Sequence, residues 1–254
     1  MQFPSFNRRA ALAAVAGATV SVRAQAPRKW AVMSLIGRDL TVVGYQSSTG
    51  SRINQDQRSV RTMPPLVLDD PAMKQVSDLI RRRQPGAVVG TISASDAEYT
   101  QQDALVQDGR YRAAADLAAD FKREGYTHLF LLTRHRAAAQ LRMFNKYQGT
   151  GNLEGAGFYI DTEMPIRNLN NGIVSIGYLA PFVYFQLHLV DLASGTVVLQ
   201  RELLTNDVVT NEKGERNFHP ANALNPAQRI QALRDLVSAA LDAAVPDMLQ
   251  RLGD

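Results

Sequence analysis

A mixed-sheet α/β fold, carried by a single domain over residues 27–254, is predicted from three observations. Between Trp30 and Thr133, short β-branched or apolar runs alternate with amphipathic helical patterns, the order of a partly parallel sheet with covering helices. From Ser175 to Asp207 the pattern changes to alternating strands broken by a tight turn, which marks antiparallel pairing. A helical apolar stripe then closes the chain. The predicted order is β-β-α-β-α-β, an antiparallel hairpin and a C-terminal amphipathic helix.

Taken in order, Trp30–Ile36 and Leu40–Tyr45 are apolar runs separated by Gly37-Arg38-Asp39, the spacing of a hairpin with a tight turn. Ser47–Pro65 is polar and reads as a long surface loop with room for one extended segment. Asp69-Asp70-Pro71 starts a helix, with an acid at the cap and proline at the first helical position. Met73, Val76, Leu79 and Ile80 follow at helical spacing, and Arg81-Arg82-Arg83 fill the last turn before Pro85-Gly86. There the basic triplet answers the partial negative charge of the last helical carbonyls. Ala87–Ile92 is a buried-type strand. Arg110–Glu124 reads as the second helix, with Ala114, Leu117, Ala118 and Phe121 on one face and Gly125 at its end. Tyr126–Thr133 is a strand whose run Leu129–Leu132 suits cover on both faces.

In the later half, Ser175–Gly177, Pro181–Asp191 and Thr196–Asp207 read as strands, with Asp191–Gly195 as the turn. Alternation puts Val183, Phe185, Leu187 and Leu189 on one face, and Phe182, Tyr184, Gln186 and His188 on the other. Asn225 caps the last helix with Pro226 at its first position. Its stripe is Ile230, Leu233, Leu236, Val237, Ala240, Leu241 and Ala244, and Pro246 is expected to kink or divide it.

Residues 1–26 read as a cleaved signal peptide rather than as part of the fold. Arg8 and Arg9 form a basic region, and Ala10–Val22 is an uncharged stretch of 13 residues. That is shorter than the ~20 residues a membrane-crossing helix needs. Cleavage sites follow after Ala24 or Ala26, and Asn7-Arg8-Arg9-Ala10-Ala11-Leu12 is also compatible with the twin-arginine route. The expected location is the periplasm, with no integral membrane segment in the mature chain. Formal charge is +4, but Arg8, Arg9 and Arg23 supply three of those charges. The overall basic balance is therefore no argument for nucleic acid as a partner. Zero cysteine excludes disulfides, thiolate zinc, iron–sulfur clusters, a cysteine nucleophile and a cysteine-linked lipid.

The opening Lys29-Trp30-Ala31-Val32-Met33-Ser34, the strand Gly125-Tyr126-Thr127-His128-Leu129-Phe130-Leu131-Leu132 and the hairpin Tyr184–Val198 resemble the bacterial envelope group of the curli-secretion lipoprotein and the TolB amino-terminal domain. The shared local pattern is an apolar run followed by Asp191-Leu192-Ala193-Ser194-Gly195-Thr196. The resemblance implies an assembly or interaction protein without catalytic residues or cofactor. This chain departs from the group in lacking the lipid-anchoring cysteine and in its long segment Arg142–Gly157.

No nucleophile elbow, phosphate-binding glycine loop or zinc-protease helix occurs. Three functional readings remain. In the first, the protein binds a protein or envelope component through the hairpin face of Tyr178, Phe182, Tyr184, Gln186 and His188, flanked by Lys146 and Tyr147. A helix packed on that face is the alternative for these aromatics. In the second, His135, Asp161, Glu163 and His188 hold zinc or iron for a metal-dependent hydrolase. A small-ligand carrier is a third possibility. Arg134-His135-Arg136, with Arg142, Lys146, Phe144 and Tyr147, forms a basic and aromatic stretch.

Overall fold

The computed structural model describes residues 28–46, 56–64, 66–143, 146–167, 172–211 and 218–253, so the signal-type segment and Phe144 lie outside it. In chain order the elements are β1 (Lys29–Ser34), β2 (Asp39–Gly44), β3 (Gln57–Thr62), α1 (Asp69–Arg83), β4 (Val88–Ile92) and α2 (Asp96–Leu105). Next come β5 (Val106–Gln107), β6 (Arg110–Tyr111), α3 (Ala115–Glu124), β7 (His128–Arg134), β8 (Arg136–Ala138), β9 (Leu141–Met143) and β10 (Lys146–Gln148). The last are β11 (Asn152–Arg167), β12 (Val174–Asp191), β13 (Thr196–Asn206), a 3-10 turn at Pro220–Asn222 and α4 (Pro226–Arg251). The mixed α/β class and the closing helix are as the sequence predicts.

The 18-residue β12 is the spine of the sheet. One of its edges pairs with β13 from Phe182 to Asp191. The other edge is shared: its first part, up to Tyr184, pairs antiparallel with β11, and Phe185–Asp191 pairs antiparallel with β7. Outside β7 lie β1 and then β4, all three parallel. Outside β11 lies β2, parallel to it, and then antiparallel β3. The sheet therefore has two lobes joined through one continuous strand.

This arrangement corrects the expected hairpin. β1 and β2 do not pair with each other; they continue in line through Gly37 and join different lobes. Trp30, Ala31, Val32 and Met33 are fully buried, and such a strand is stable only with neighbours on both edges. The junction also needs the absence of a side chain at Gly37, because a Cβ there would lie 2.3 Å from Asp69 Oδ2.

Other boundaries shift for local reasons. The second predicted helix is shorter, Ala115–Glu124, and Arg110–Tyr111 pairs as β6 with β5 and β13. A helix that the sequence reading does not include, α2, starts at a capping box in which Ser95 Oγ accepts from Glu98 N and Glu98 Oε2 accepts from Ser95 N. The strand β11 is a further addition to the predicted order. α1 begins at Asp69 with Leu68 in the cap position, and the Asp69 carboxylate turns away to serve the β1–β2 junction. At α4 the expected cap holds: Asn225 Oδ1 accepts from Gln228 N at 2.9 Å. The helix then runs undivided through Pro246.

Helices α1 and α4 cover one sheet face. The core there gathers Trp30, Val32, Phe130 and Leu132 with the odd-numbered side chains Val183, Phe185, Leu187 and Leu189. On the opposite face there are two smaller cores. One packs Met33, Leu129, Leu131 and Val190 against Phe121 of α3 and Leu105 of α2. The other sits beneath the β9–β10 ribbon. Among the described residues, no helix is long and apolar enough to cross a membrane.

Candidate functional site

The even-numbered face of β12 changes character along its length. Tyr178, Phe182 and Tyr184 are buried to 1% exposure or less, so they form core and not the expected contact surface. Neither candidate helix covers them. Leu141 and Met143 of the β9–β10 ribbon and Leu153 of β11 pack there instead. The phenol ring of Tyr159 stacks on Tyr178 with centroids 6.1 Å apart, and Phe182 meets Tyr184 edge-on at 5.6 Å. Tyr184 Oη accepts a hydrogen bond from Gln140 N at 2.9 Å, which satisfies its polar end. Of the predicted surface, Lys146 and Tyr147 remain exposed on β10, and Gln186 is half-buried.

Next along β12 the face is polar. Gln186 lies between Thr133 of β7 and Glu202 of β13, and His188 lies between Leu131 and Gln200. His188 is 1% exposed. Its Nε2 shares a 3.0 Å hydrogen bond with Thr133 Oγ1, and its Nδ1 is buried without a partner. Burial pulls the His188 pKa from 6.5 down to about 4, helped by nearby His135 and opposed by Gln200. His188 is therefore neutral in the folded protein at pH 7. The unfolded chain takes up a proton between pH 6.5 and about 4 that the folded one refuses. Stability rises with pH across that window and is lost as pH falls, by at most about 3 kcal/mol. Urea unfolding at pH 4.5 and pH 7 should show that loss, and His188→Gln should flatten it.

The proposed metal ligands do not come together. Asp161 pairs with Tyr178, ten positions along β12 from His188, a separation of roughly 33 Å at strand rise. His135 bonds through its backbone N–H to Tyr184 O and its ring lies 3.6 Å from Glu202, between those two positions. Asp161 is engaged structurally, since its Oδ1 accepts from Glu163 N and Met164 N at the point where the β11 register shifts. Glu163 is exposed. The set His135, Asp161, Glu163 and His188 is thus spread along the spine, and the hydrolase reading loses its geometry. Among the described residues no group of three His, Asp or Glu side chains is placed to hold a metal. The other two histidines are locally engaged: His128 lies against Trp30 with ring centroids 5.1 Å apart, and His219 Nδ1 accepts from Ala221 N.

A second polar feature lies outside the residues that the sequence singles out as a site. Where β1 and β7 end, a cleft of about 80 Å³ is lined by Leu35, Ile36, Arg38, Asp39, Thr41, Arg58 and Arg134, among others. Arg134 is held by Asp103 at 3.0 Å and by Glu154 at 3.2 Å. Arg58 lies 3.7 Å from the other oxygen of Glu154. Arg38 reaches Asp96 O and Thr100 Oγ1, both at 3.2 Å. Gln102, itself buried, anchors this end of β7 by accepting from Arg134 N and donating to Tyr99 O. In the sequence, Arg134 stands out only as part of a basic stretch. Nothing local marks Arg38 or Arg58, because separate elements bring the three arginines together.

No family model matches the chain, and no curated protein matches it. Among solved structures, it is similar to a neuraminyllactose-binding hemagglutinin homolog from Helicobacter pylori. That match has 7% identity and a TM-score of 0.33, over 89% of this chain and 90% of that one. A PelC dodecamer from Paraburkholderia phytofirmans matches at 9% identity and TM-score 0.27, over 83% and 89%. Protein XCC0632 from Xanthomonas campestris matches at 10% and 0.28, over 89% and 91%. All three of these proteins are bacterial.

Proposed function

We propose that this chain is an exported, periplasmic protein that acts by binding a protein or other envelope component, without catalysis. Export rests on the basic and uncharged segments within residues 1–26. The observation that carries partner binding is Tyr147, 68% exposed on β10 beside exposed Lys146. The same ribbon buries Leu141 and Met143 of β9 in the core, so Tyr147 is presented on an anchored support. Tyrosine combines large apolar area with a hydrogen-bonding tip at low entropy cost, which is why it recurs at the centres of interfaces. Burial of Tyr178, Phe182 and Tyr184 moves the proposed surface from the hairpin face to this ribbon.

The test is site-specific photo-crosslinking in cells. A crosslinker at position 147 should give a discrete adduct that the same group at exposed Asp120 of α3 does not. Tyr147→Ala should weaken binding of the captured partner at least about tenfold, the scale of an interface hot spot. Its melting temperature should stay within about 2 °C of the parent, since surface changes rarely exceed about 0.5 kcal/mol. An adduct pattern identical at 147 and 120 would overturn the proposal.

A further inference from the structure

The arginine cleft lies where chain topology favours ligands. From β1 the chain runs through β2, β3 and α1 to β4 on one side of β1, then through α2, β5, β6 and α3 to β7 on the other. The first crossover helix packs on one sheet face, and α2 and α3 contribute to the core on the opposite face. This is a topological switch point, and in open α/β sheets the crevice beyond the carboxyl ends of such strands is the preferred ligand site. Leu35 and Ile36 follow β1, and Arg134 ends β7, so the cleft occupies that crevice.

Its chemistry is specific. Arg38, Arg58 and Arg134 bring three guanidinium groups to a cleft of about 80 Å³, room for one tetrahedral oxyanion. Guanidinium forks match phosphate and carboxylate oxygens better than any other side chain does. Glu154 already shows the recognition: its two carboxylate oxygens face Arg134 and Arg58 separately. Displacing that carboxylate frees Arg58 and one side of Arg134 for a ligand and leaves Asp39 as the lining acid, while Asp103 keeps its hold on Arg134 and Asp96 its place beside Arg38. We infer that this cleft binds a phosphate-type oxyanion through Arg38, Arg58 and Arg134, with Glu154 as the internal carboxylate that the ligand displaces. Part-buried guanidinium groups already fixed by Asp103, Thr100 and Asn152 lose little freedom on binding.

Titration calorimetry on the mature protein tests this with inorganic phosphate and with glycerol 3-phosphate. Sedimentation with vesicles of equimolar phosphatidylglycerol and phosphatidylcholine tests the lipid-headgroup source. Saturable binding of the soluble phosphates without vesicle association identifies a free phosphate, and Arg38-dependent vesicle association identifies a headgroup. Arg134→Gln and Arg38→Gln should each weaken binding about 10- to 100-fold, the loss of a charge-assisted hydrogen bond. Glu154→Gln should tighten it about twofold to fivefold by removing the competitor. A purely structural ion-pair network predicts no such gain. Arg38→Gln serves as the safeguard against misfolding, because Arg38 makes its hydrogen bonds and ion pair on the surface of α2. Absence of saturable binding to either phosphate and to vesicles, in both the parent and Glu154→Gln, overturns the inference. So does affinity unchanged in Arg38→Gln.

Discussion

Asp69→Ala should lower unfolding free energy by about 4 kcal/mol, enough to leave a domain of ordinary stability barely folded at about 37 °C. The Asp69 carboxylate is 1% exposed and collects four donors from two parts of the chain, residues 34–37 and Tyr99. Its Oδ1 accepts from Ser34 Oγ at 2.6 Å, Ile36 N at 3.0 Å and Gly37 N at 3.2 Å, and its Oδ2 accepts from Tyr99 Oη at 2.6 Å. Truncation leaves two backbone N–H groups and two hydroxyls at the β1–β2 junction without that acceptor, each a desolvation cost of about 1–3 kcal/mol when water cannot replace it. Asp69→Asn keeps an oxygen for the backbone donors and should lose only about half as much. Burial raises the Asp69 pKa, while Ser34, Tyr99, Ile36 and Gly37 pull it back. A raised carboxylate pKa favours the fold at low pH, and that contribution is lost as pH rises through the folded-state value. The acid limb of stability therefore combines this gain with the opposing loss from His188. Denaturant unfolding of Asp69→Ala and Asp69→Asn, each across pH, separates the two. A loss below about 1 kcal/mol in Asp69→Ala would contradict the hub assignment.

Gly157→Ala should be nearly as damaging, with a loss above about 3 kcal/mol, although one methyl group is added. A Cβ at Gly157 would lie 2.0 Å from Thr41 O and 2.6 Å from Phe182 Cζ. The first contact is backbone of the parallel partner β2 and the second is a ring of the core, so neither yields as a flexible side chain does. The strands must part, and Thr41 lines the arginine cleft, so phosphate affinity should fall together with stability. Gly44→Ala is the control on the same strand pair: its nearest neighbour is Gln57 O at 3.9 Å, and its effect should stay within about 1 kcal/mol. Equal melting temperatures for the two variants would remove the close-approach explanation.

The fold class is readable in the sequence because helical stripes and strand runs express burial directly. The α4 stripe and the alternation in β12 both reappear, with Leu233, Val237 and Leu241 buried and Val183, Phe185, Leu187 and Leu189 on one face. The capping box at Ser95 and Glu98 is a local signal that reveals α2 once it is looked for. β11 is obscure for a physical reason: Gly155, Gly157 and Pro165 interrupt its alternation, yet one of those glycines is what lets β2 approach. Pairing partners are the least legible feature. A short gap such as Gly37-Arg38-Asp39 suits a hairpin, and only the distant Asp69 explains why the chain goes straight on. The aromatic face is hidden for a similar reason, since cover by the β9–β10 ribbon cannot be read from β12 alone. The arginine cleft is wholly tertiary.

The spine strand has a consequence for how the molecule is assembled. β1 must wait for β7 (Lys29 and Thr127, which bond across that junction, are 98 residues apart), and β2 must wait for β11. Both lobes then need β12, synthesised later still. Pairings so remote in sequence make for slow folding, because chain closure comes before any reward from contact. Until then the amino-terminal half has only its local pairings, β1 with β4 and β2 with β3, and the other edge of β1 and of β2 stays open. Because side chains alternate with period two, a one-residue slip of β12 would turn both lobes inside out at once, so the two are set in register by a single event.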